Sequence, residues 1–140
     1  MFELKCIDDT RGEELQKVLD KVGRGAYYLS KEDIITDCAK GNLLGMYLKG
    51  ELLCTTTVEE FNDMDFMKHF VMVGPHGKGY FSVMVGLITQ KFPYVCVTVL
   101  PSNYKVSVIL REAGFIYKGN VLDRTGEHEY TLFQHMGKPY

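Results

Sequence analysis

The 140-residue chain has no tryptophan, only four prolines and four cysteines, and almost no net charge. With 16 basic and 18 acidic side chains, its formal charge is -2 at neutral pH. Nucleic-acid binding needs an excess of basic residues, so this balance argues against a nucleic-acid partner. No apolar run approaches the roughly 18 residues of a transmembrane helix, so we expect no membrane partner. The N-terminal sequence MFELKCIDD lacks the basic and apolar regions of a secretory signal.

The cysteines are too widely spaced to form a zinc or redox CxxC motif. They are Cys6, Cys38, Cys54 and Cys96, and each lies among apolar or β-branched residues. This setting predicts buried thiols in a reducing compartment. We therefore expect a cytoplasmic protein with no bound metal.

Apolar residues make up 46% of the chain and charged residues 24%, which is a globular balance and excludes disorder. The length predicts one domain over residues 1–140. Hydrophobic periodicity predicts elements in the order β α α β β β α β α β β. The predicted strands cover residues 2–7, 43–48, 52–59, 66–73, 94–100, 115–122 and 128–135. The predicted helices follow a capping box at residues 10–13, Ser30, the glycines near 79, and Ser102 or Asn103.

Turn residues punctuate this pattern. Lys49-Gly50 predicts a tight hairpin, residues 62–65 a second turn, and residues 123–126 a third. One helix separates strands 66–73 and 94–100, which is the length of a parallel βαβ crossover. The fold class predicted is α/β (α+β mixed), with about seven mostly antiparallel strands, a central parallel pair and four helices.

The segment after strand 66–73 carries a candidate anion site. It reads His76-Gly-Lys-Gly79 and leads directly into a helix. Backbone N–H groups at a helix N-terminus bind anions, because they lack internal acceptors and the helix dipole is positive there. Gly77 and Gly79 would let a phosphate approach the backbone, and Lys78 could add a charge contact. An ordinary strand-to-helix turn can have the same residues, so this loop alone leaves both interpretations open.

This region resembles the GNAT superfamily of acyl-CoA N-acyltransferases. That family follows its fourth strand with Arg or Gln, two residues, Gly, one residue, then Gly or Ala. The corresponding segment here is His76-Gly-Lys-Gly79-Tyr-Phe81. The family then has a long helix, an apolar strand, an Asn that opens a helix, and Gly-Phe. Here these are residues 79–91, residues 94–100, Asn103 and Gly114-Phe115, and the order of elements matches over essentially the whole chain.

The resemblance implies a GNAT-like fold and acetyl-CoA as co-substrate. It implies transfer of an acetyl group to an amine, either on a small molecule or on a lysine or the N-terminus of a protein. Assembly as a homodimer is left open. The residues that it places around the cofactor are Val71, Met72, Val73, His76, Gly77, Lys78, Gly79, Tyr80, Phe81 and Asn103.

The catalytic residues depart from the family pattern. His76 replaces Arg or Gln, and Phe81 replaces Gly or Ala, which predicts crowding where a pyrophosphate would bind. Leu110 stands where the family often has a general-acid Tyr, and strand 66–73 has no Glu that could act as a base. His69 is then the candidate base, since imidazole exchanges protons near neutral pH. Tyr104 or Tyr117 could supply the acid, and orientation of the substrates alone is an alternative.

Similar losses occur in divergent GNAT-like proteins of tailed bacteriophages, including the internal virion protein A type, in which a Leu is also usual at the position of Leu110. For such a source the compartment would be the host cytoplasm. Two functions therefore follow from the sequence. One is an N-acyltransferase, and the other is a catalytically inactive GNAT-fold protein that binds ligands or belongs to a virion.

Overall fold

The computed structural model describes residues 1–22, 29–123 and 125–137. Its elements follow the predicted order. The strands are β1 (Phe2–Cys6), β2 (Leu43–Leu48), β3 (Glu51–Phe61), β4 (Met64–Met72), β5 (Cys96–Val99), β6 (Phe115–Leu122) and β7 (Glu129–His135). The helices are α1 (Glu13–Leu19), α2 (Lys31–Ala39), α3 (Tyr80–Lys91) and α4 (Tyr104–Glu112).

The strands form one seven-stranded sheet in the order β1-β2-β3-β4-β5-β7-β6. The β1–β2, β2–β3, β5–β7 and β6–β7 pairs are antiparallel, and β4 and β5 are parallel. The parallel ladder aligns Phe66 with Cys96 and Met67 with Val97. The predicted mixed sheet with a central parallel pair is therefore confirmed.

The chain packs as two compact units, and β3 and β4 contribute to both. One unit comprises Met1–Glu59 and Lys68–Phe81, and the other comprises Glu60–Met67 and Ser82–Tyr140. The single domain over residues 1–140 remains a prediction. Helices α1 and α2 bury apolar side chains against the strands of the first unit. This core contains Ile7, Leu15, Val18, Val22, Ile34, Cys38, Leu43, Tyr47, Leu52 and Val71.

The two N-terminal helices begin differently from each other. Ser30 and Asp33 form the capping box that starts α2, as predicted. The box predicted at residues 10–13 is wrong, because α1 begins after Gly12 without a side-chain cap. Instead, the Asp9 carboxylate accepts a hydrogen bond from the Arg11 N–H (3.0 Å), which forms a turn before the helix. The sequence also predicts that Gly23 and Gly25 end this helix, and both residues lie outside the described residues.

Two-residue turns connect β2 to β3 and β3 to β4. Lys49 and Gly50 have φ angles of 50° and 80°, which confirms the predicted hairpin. Asn62 and Asp63 have φ angles of 52° and 62°. Two successive positive φ angles are typical of a type I′ turn, whose twist matches that of paired strands. The second turn is therefore shorter than predicted, and β4 begins at Met64. The predicted third turn includes residue 124, which lies outside the described residues.

A β-bulge in β3 positions the end of β4. Met46 pairs with Cys54 and Tyr47 pairs with Leu52, so Leu53 is an extra residue in β3. The Leu53 carbonyl accepts hydrogen bonds from the N–H groups of Val73 (3.0 Å) and Gly74 (2.8 Å). The bulge thus fixes the backbone where β4 leads into the glycine-containing loop.

Three cysteines are buried as predicted, but Cys6 is exposed at the end of strand β1. That strand is at the edge of the sheet, where a terminal residue has little cover. Burial raises the pKa of the Cys54 thiol to about 12, so this thiol is inert at neutral pH. In residues 1–22, 29–123 and 125–137, no cluster of His, Cys, Asp and Glu could hold a metal. None of the helices described is long and apolar enough to cross a membrane.

Candidate functional site

The loop at residues 74–79 has a backbone that only glycine adopts readily at two positions. Gly77 and Gly79 have φ angles of +80° and +73°. A Cβ atom at either position would meet no heavy atom within 4 Å. The neighbouring His76 and Lys78 are exposed. The space beside both glycines is therefore open to a ligand, as a phosphate-binding turn requires.

The N-terminus of α3 has the electrostatics of an anion site. Gly79, the residue before the helix, has no side chain that could cap it, and the first turn carries no acidic residue. In contrast, α1 has Glu13 and Glu14 in its first turn, and α2 has Glu32 and Asp33. The first N–H groups of a helix need acceptors, and its positive end favours negative charge. Helix α3 therefore starts as an anion-binding helix would.

Phe81 packs beneath this turn. Its side chain is half-buried, and its ring lies edge to face against that of Phe70 on β4, with ring centroids 4.8 Å apart. The side chain predicted to crowd a pyrophosphate thus contacts the strand. Tyr80 makes a similar contact with Phe2, at 6.3 Å.

At the end of β4, some residues already have a role within the fold. Val71 is buried in the core of the first unit, and the Val73 N–H is used by the Leu53 carbonyl. Because successive strand residues direct their N–H groups to opposite sides, the N–H of Met72 points away from β3. The cofactor roles of Val71, Met72 and Val73 remain predictions.

His69 adopts an unusual conformation in the middle of β4. Its φ angle is +55°, in the left-handed region. For a residue with a Cβ atom this conformation costs about 1 kcal/mol, and it bends a strand as a bulge does. The backbone is held here by Thr56, whose hydroxyl donates to the Lys68 carbonyl (2.9 Å). Strain of this kind at a half-buried polar residue is typical of functional sites.

A buried carboxylate holds the His69 ring. The Nδ1 atom of His69 lies 2.8 Å from Oδ2 of Asp37 on α2. The Thr57 hydroxyl donates to the same oxygen, also at 2.8 Å. The side chain of Asp37 is 6% exposed and that of His69 is 26% exposed. The three side chains thus form a cluster that is closed at Asp37 and open to solvent at His69.

The Asp37 carboxyl group is ionised at neutral pH. Burial acts to raise its pKa, but the hydrogen bonds from His69 and Thr57 and the charges of His69 and Lys68 outweigh burial, so the pKa is lowered. Lys68 itself forms an ion pair with Glu59. An ionised carboxylate can only accept hydrogen bonds, so Nδ1 of His69 must carry the proton that it shares with Asp37.

Asp37 and Thr57 were not predicted from the sequence. The signal for Asp37 is its position on α2, since residues three and four apart share a helix face. Ile34, Asp37 and Cys38 are buried, whereas Ile35 is 40% exposed. A carboxylate on the apolar face of an amphipathic helix needs a buried partner. That partner, His69, could not be identified from the spacing.

The remaining predicted residues lie in the second unit. Asn103 caps α4, and its side chain accepts a hydrogen bond from the Val106 N–H (3.4 Å). Tyr104 is 76% exposed. Tyr117 donates to the Asn120 side chain (3.2 Å), and Leu110 is fully buried. The cofactor role of Asn103 and the acid roles of the tyrosines remain predictions.

The chain has the fold of GNAT acetyltransferases. A GNAT-family acetyltransferase from Bacillus cereus has a TM-score of 0.77 at 14% identity, with 99% of each chain covered. The ribosomal-protein-S18-alanine N-acetyltransferase of Escherichia coli has a TM-score of 0.69 at 10% identity, covering 99% of this chain and 97% of its own. An N-acetyltransferase from Staphylococcus aureus has a TM-score of 0.71 at 14% identity, with 96% and 97% covered. No family model and no curated protein matches the sequence.

Proposed function

We propose that this protein is an acyl-CoA-dependent N-acyltransferase that transfers an acetyl group from acetyl-CoA to a primary amine. The observation that carries the proposal is the open turn at Gly77 and Gly79 ahead of a helix without a cap or an acidic first turn. The resemblance implies that the pyrophosphate of CoA binds at this turn, and the likeness in fold to GNAT acetyltransferases supports the proposal.

The residues present fit a CoA pyrophosphate. The N–H groups from Gly77 to Phe81 would donate to the phosphate oxygens, and Lys78 and His76 lie in the same exposed loop. The Met72 N–H would hold the pantetheine chain or polarise the thioester carbonyl. When bound, acetyl-CoA supplies an acyl group whose carbonyl carbon accepts the attacking amine.

His69 would act as the base. Its Nδ1 is occupied by Asp37, so Nε2 is the ring nitrogen that can take a proton from the substrate ammonium. The neutral amine would then attack the carbonyl carbon, so that the C–N bond forms and the C–S bond breaks, and the nitrogen would lose its second proton to solvent. The thiolate leaves and takes a proton from solvent or from an acid such as Tyr104 or Tyr117.

The acceptor is an amine of a small molecule or of a protein. One structural neighbour is the ribosomal-protein-S18-alanine N-acetyltransferase of Escherichia coli, so the fold accommodates a protein acceptor there. The reaction requires a basic nitrogen to reach Nε2 of His69.

A second candidate is a GNAT-fold protein that binds ligands or belongs to a virion but does not catalyse transfer. The observation that favours it is Leu110, which is fully buried where the family often has an acidic hydroxyl. Binding of CoA without turnover would be the signature of this function.

The test combines binding with turnover. Calorimetric titration with acetyl-CoA measures binding, and acyl transfer to a panel of amines is measured across a pH series. We expect wild-type transfer to rise with pH, and His69→Ala to lower kcat roughly 100-fold or more with nearly unchanged CoA affinity. CoA binding without transfer would favour the second candidate. Absence of CoA binding would reject the glycine turn as a CoA site in either candidate function.

A further inference from the structure

We infer that Asp37, with Thr57 behind it, is a positioning residue that fixes His69 as the tautomer protonated on Nδ1 and so leaves Nε2 as the proton acceptor. As a catalytic assignment this rests on the proposed function. The geometry that carries it is the pair of 2.8 Å contacts to one carboxylate oxygen, made from β3 and from β4.

The cluster differs from an ordinary surface ion pair. Asp37 is nine-tenths buried, and both donors to it come from strands that do not belong to its own helix. Burying a carboxylate is costly unless its oxygen atoms accept hydrogen bonds. The hydrogen bonds from Thr57 and His69 meet this requirement and hold the carboxylate in one orientation. The ring of His69 is then fixed by its contact with Asp37 and by the left-handed backbone of its own residue.

The orientation of the ring decides what His69 can do. With Nδ1–H donated to Asp37, the lone pair on Nε2 faces away from the buried carboxylate. Among the described residues, no hydrogen bond to Nε2 of His69 is present. Asp37 therefore supports a base at His69 without touching the substrate.

The charged groups in and beside the cluster come from α2, β3 and β4. Asp37 comes from α2, Lys68 and His69 from β4, and Glu59 from β3, where it pairs with Lys68. Thr57 on β3 contributes a neutral hydroxyl. Among these charged groups, only Asp37 is hydrogen-bonded to the His69 ring. We therefore expect the removal of the Asp37 carboxylate to act through His69.

A spectroscopic measurement tests the assignment without substrate. Ring nitrogen shifts of His69 are recorded on the intact protein labelled at histidine nitrogens, at a pH where the ring is neutral, and assigned with His69→Gln. We expect Nδ1 to be protonated and Nε2 bare in the wild type, and this preference to be lost in Asp37→Ala. A wild-type ring with its proton on Nε2 would overturn the inference.

A double-mutant cycle tests whether Asp37 affects acyl transfer through His69. We expect Asp37→Asn to lower kcat about 10-fold or more, to change the pH–rate profile, and to leave the KM for acetyl-CoA within about twofold. In a His69→Ala background the same change should cost less than about twofold. Equal losses in both backgrounds would reject action through His69.

The matched control is Glu32→Gln, which removes an exposed carboxylate from the same helix and should leave the rate unchanged. If the wild type transfers no acyl group, the proposed function fails, whereas the ring measurement still decides whether Asp37 sets the tautomer.

Discussion

Phe70 and Phe81 meet edge to face, with their ring planes at 81°. The contact joins the first turn of α3 to β4 directly beside His69. An aromatic pair of this geometry adds to the free energy gained by burial, and it constrains the spacing between strand and helix. The glycine turn between them therefore needs no side chain of its own to position the start of α3.

We predict that Phe81→Ala destabilises the protein by about 2 kcal/mol, because a half-buried ring and its aromatic partner lose contact. Acetyl-CoA affinity should change by less than about threefold, since the ring packs on β4. Urea unfolding and calorimetry measure the two quantities. A large gain in affinity would show that the Phe81 ring obstructs the phosphate site.

We predict that Gly79→Ala weakens acetyl-CoA binding at least about 10-fold, because a Cβ atom would fill the space that a phosphate oxygen needs. The residue has a positive φ angle, so the variant should also lose about 1 kcal/mol of stability. Gly50→Ala is the matched control, because Gly50 also has a positive φ and an equally open Cβ position. Equal affinity in the two variants would place the phosphate site elsewhere.

Two threonines on the same face of β3 should respond in opposite ways to replacement by Val. Thr55 and Thr57 are both fully buried, but only Thr57 donates to Asp37, whereas the Thr55 hydroxyl has no partner among the described residues. We expect Thr57→Val to cost about 2 kcal/mol and Thr55→Val to be neutral or stabilising by about 1 kcal/mol. Denaturant unfolding of both variants measures this, and equal losses would contradict the assigned hydrogen bond.

The stability of the protein should depend on Asp37 in a defined pH range. Its pKa is lowered on folding, so its contribution to stability is complete above the ordinary value of 3.8 and is lost as the pH falls through the lowered value. We therefore expect the difference in unfolding free energy between wild type and Asp37→Asn to shrink as the pH falls below this ordinary value. A difference that grows on acidification would contradict this sign.

Removing the Thr57 hydroxyl takes away one of the interactions that lower the pKa of Asp37. In Thr57→Val the acid-induced loss of stability should therefore be smaller than in the wild type and complete at a higher pH, because it begins near the ordinary value of 3.8 in both proteins. Urea unfolding at a series of pH values compares the three proteins on one scale.

The order of elements was predictable because periodicity and turn residues agree along the chain. Helix α2 illustrates this, since Ser30 is typical of a helix start and Gly41, which has a positive φ angle, is typical of the residue that follows a helix end. The start of α1 was not predictable, because the Thr10 pattern competes with a turn at Asp9 that forms instead. Both interactions are local and similar in energy, so the sequence alone does not decide between them.

The candidate site was predictable only in part. The glycine turn is contiguous in the chain, so its residues could be named in advance. The Asp37–His69 pair joins residues 32 positions apart, and the left-handed conformation of His69 depends on the surrounding sheet. Neither leaves a periodic signal, and only the carboxylate on the buried face of α2 hinted at a partner.

The extra residue in β3 links two segments that are far apart in sequence. Deleting Leu53 would leave the pairs on either side of it intact, Met46 with Cys54 and Tyr47 with Leu52. It would nevertheless remove the carbonyl group that accepts hydrogen bonds from the N–H groups of Val73 and Gly74, where the glycine loop begins. Insertions or deletions in β3 are therefore expected to be accompanied by changes in the length of the segment that precedes α3, although no side chain of one segment needs to recognise the other.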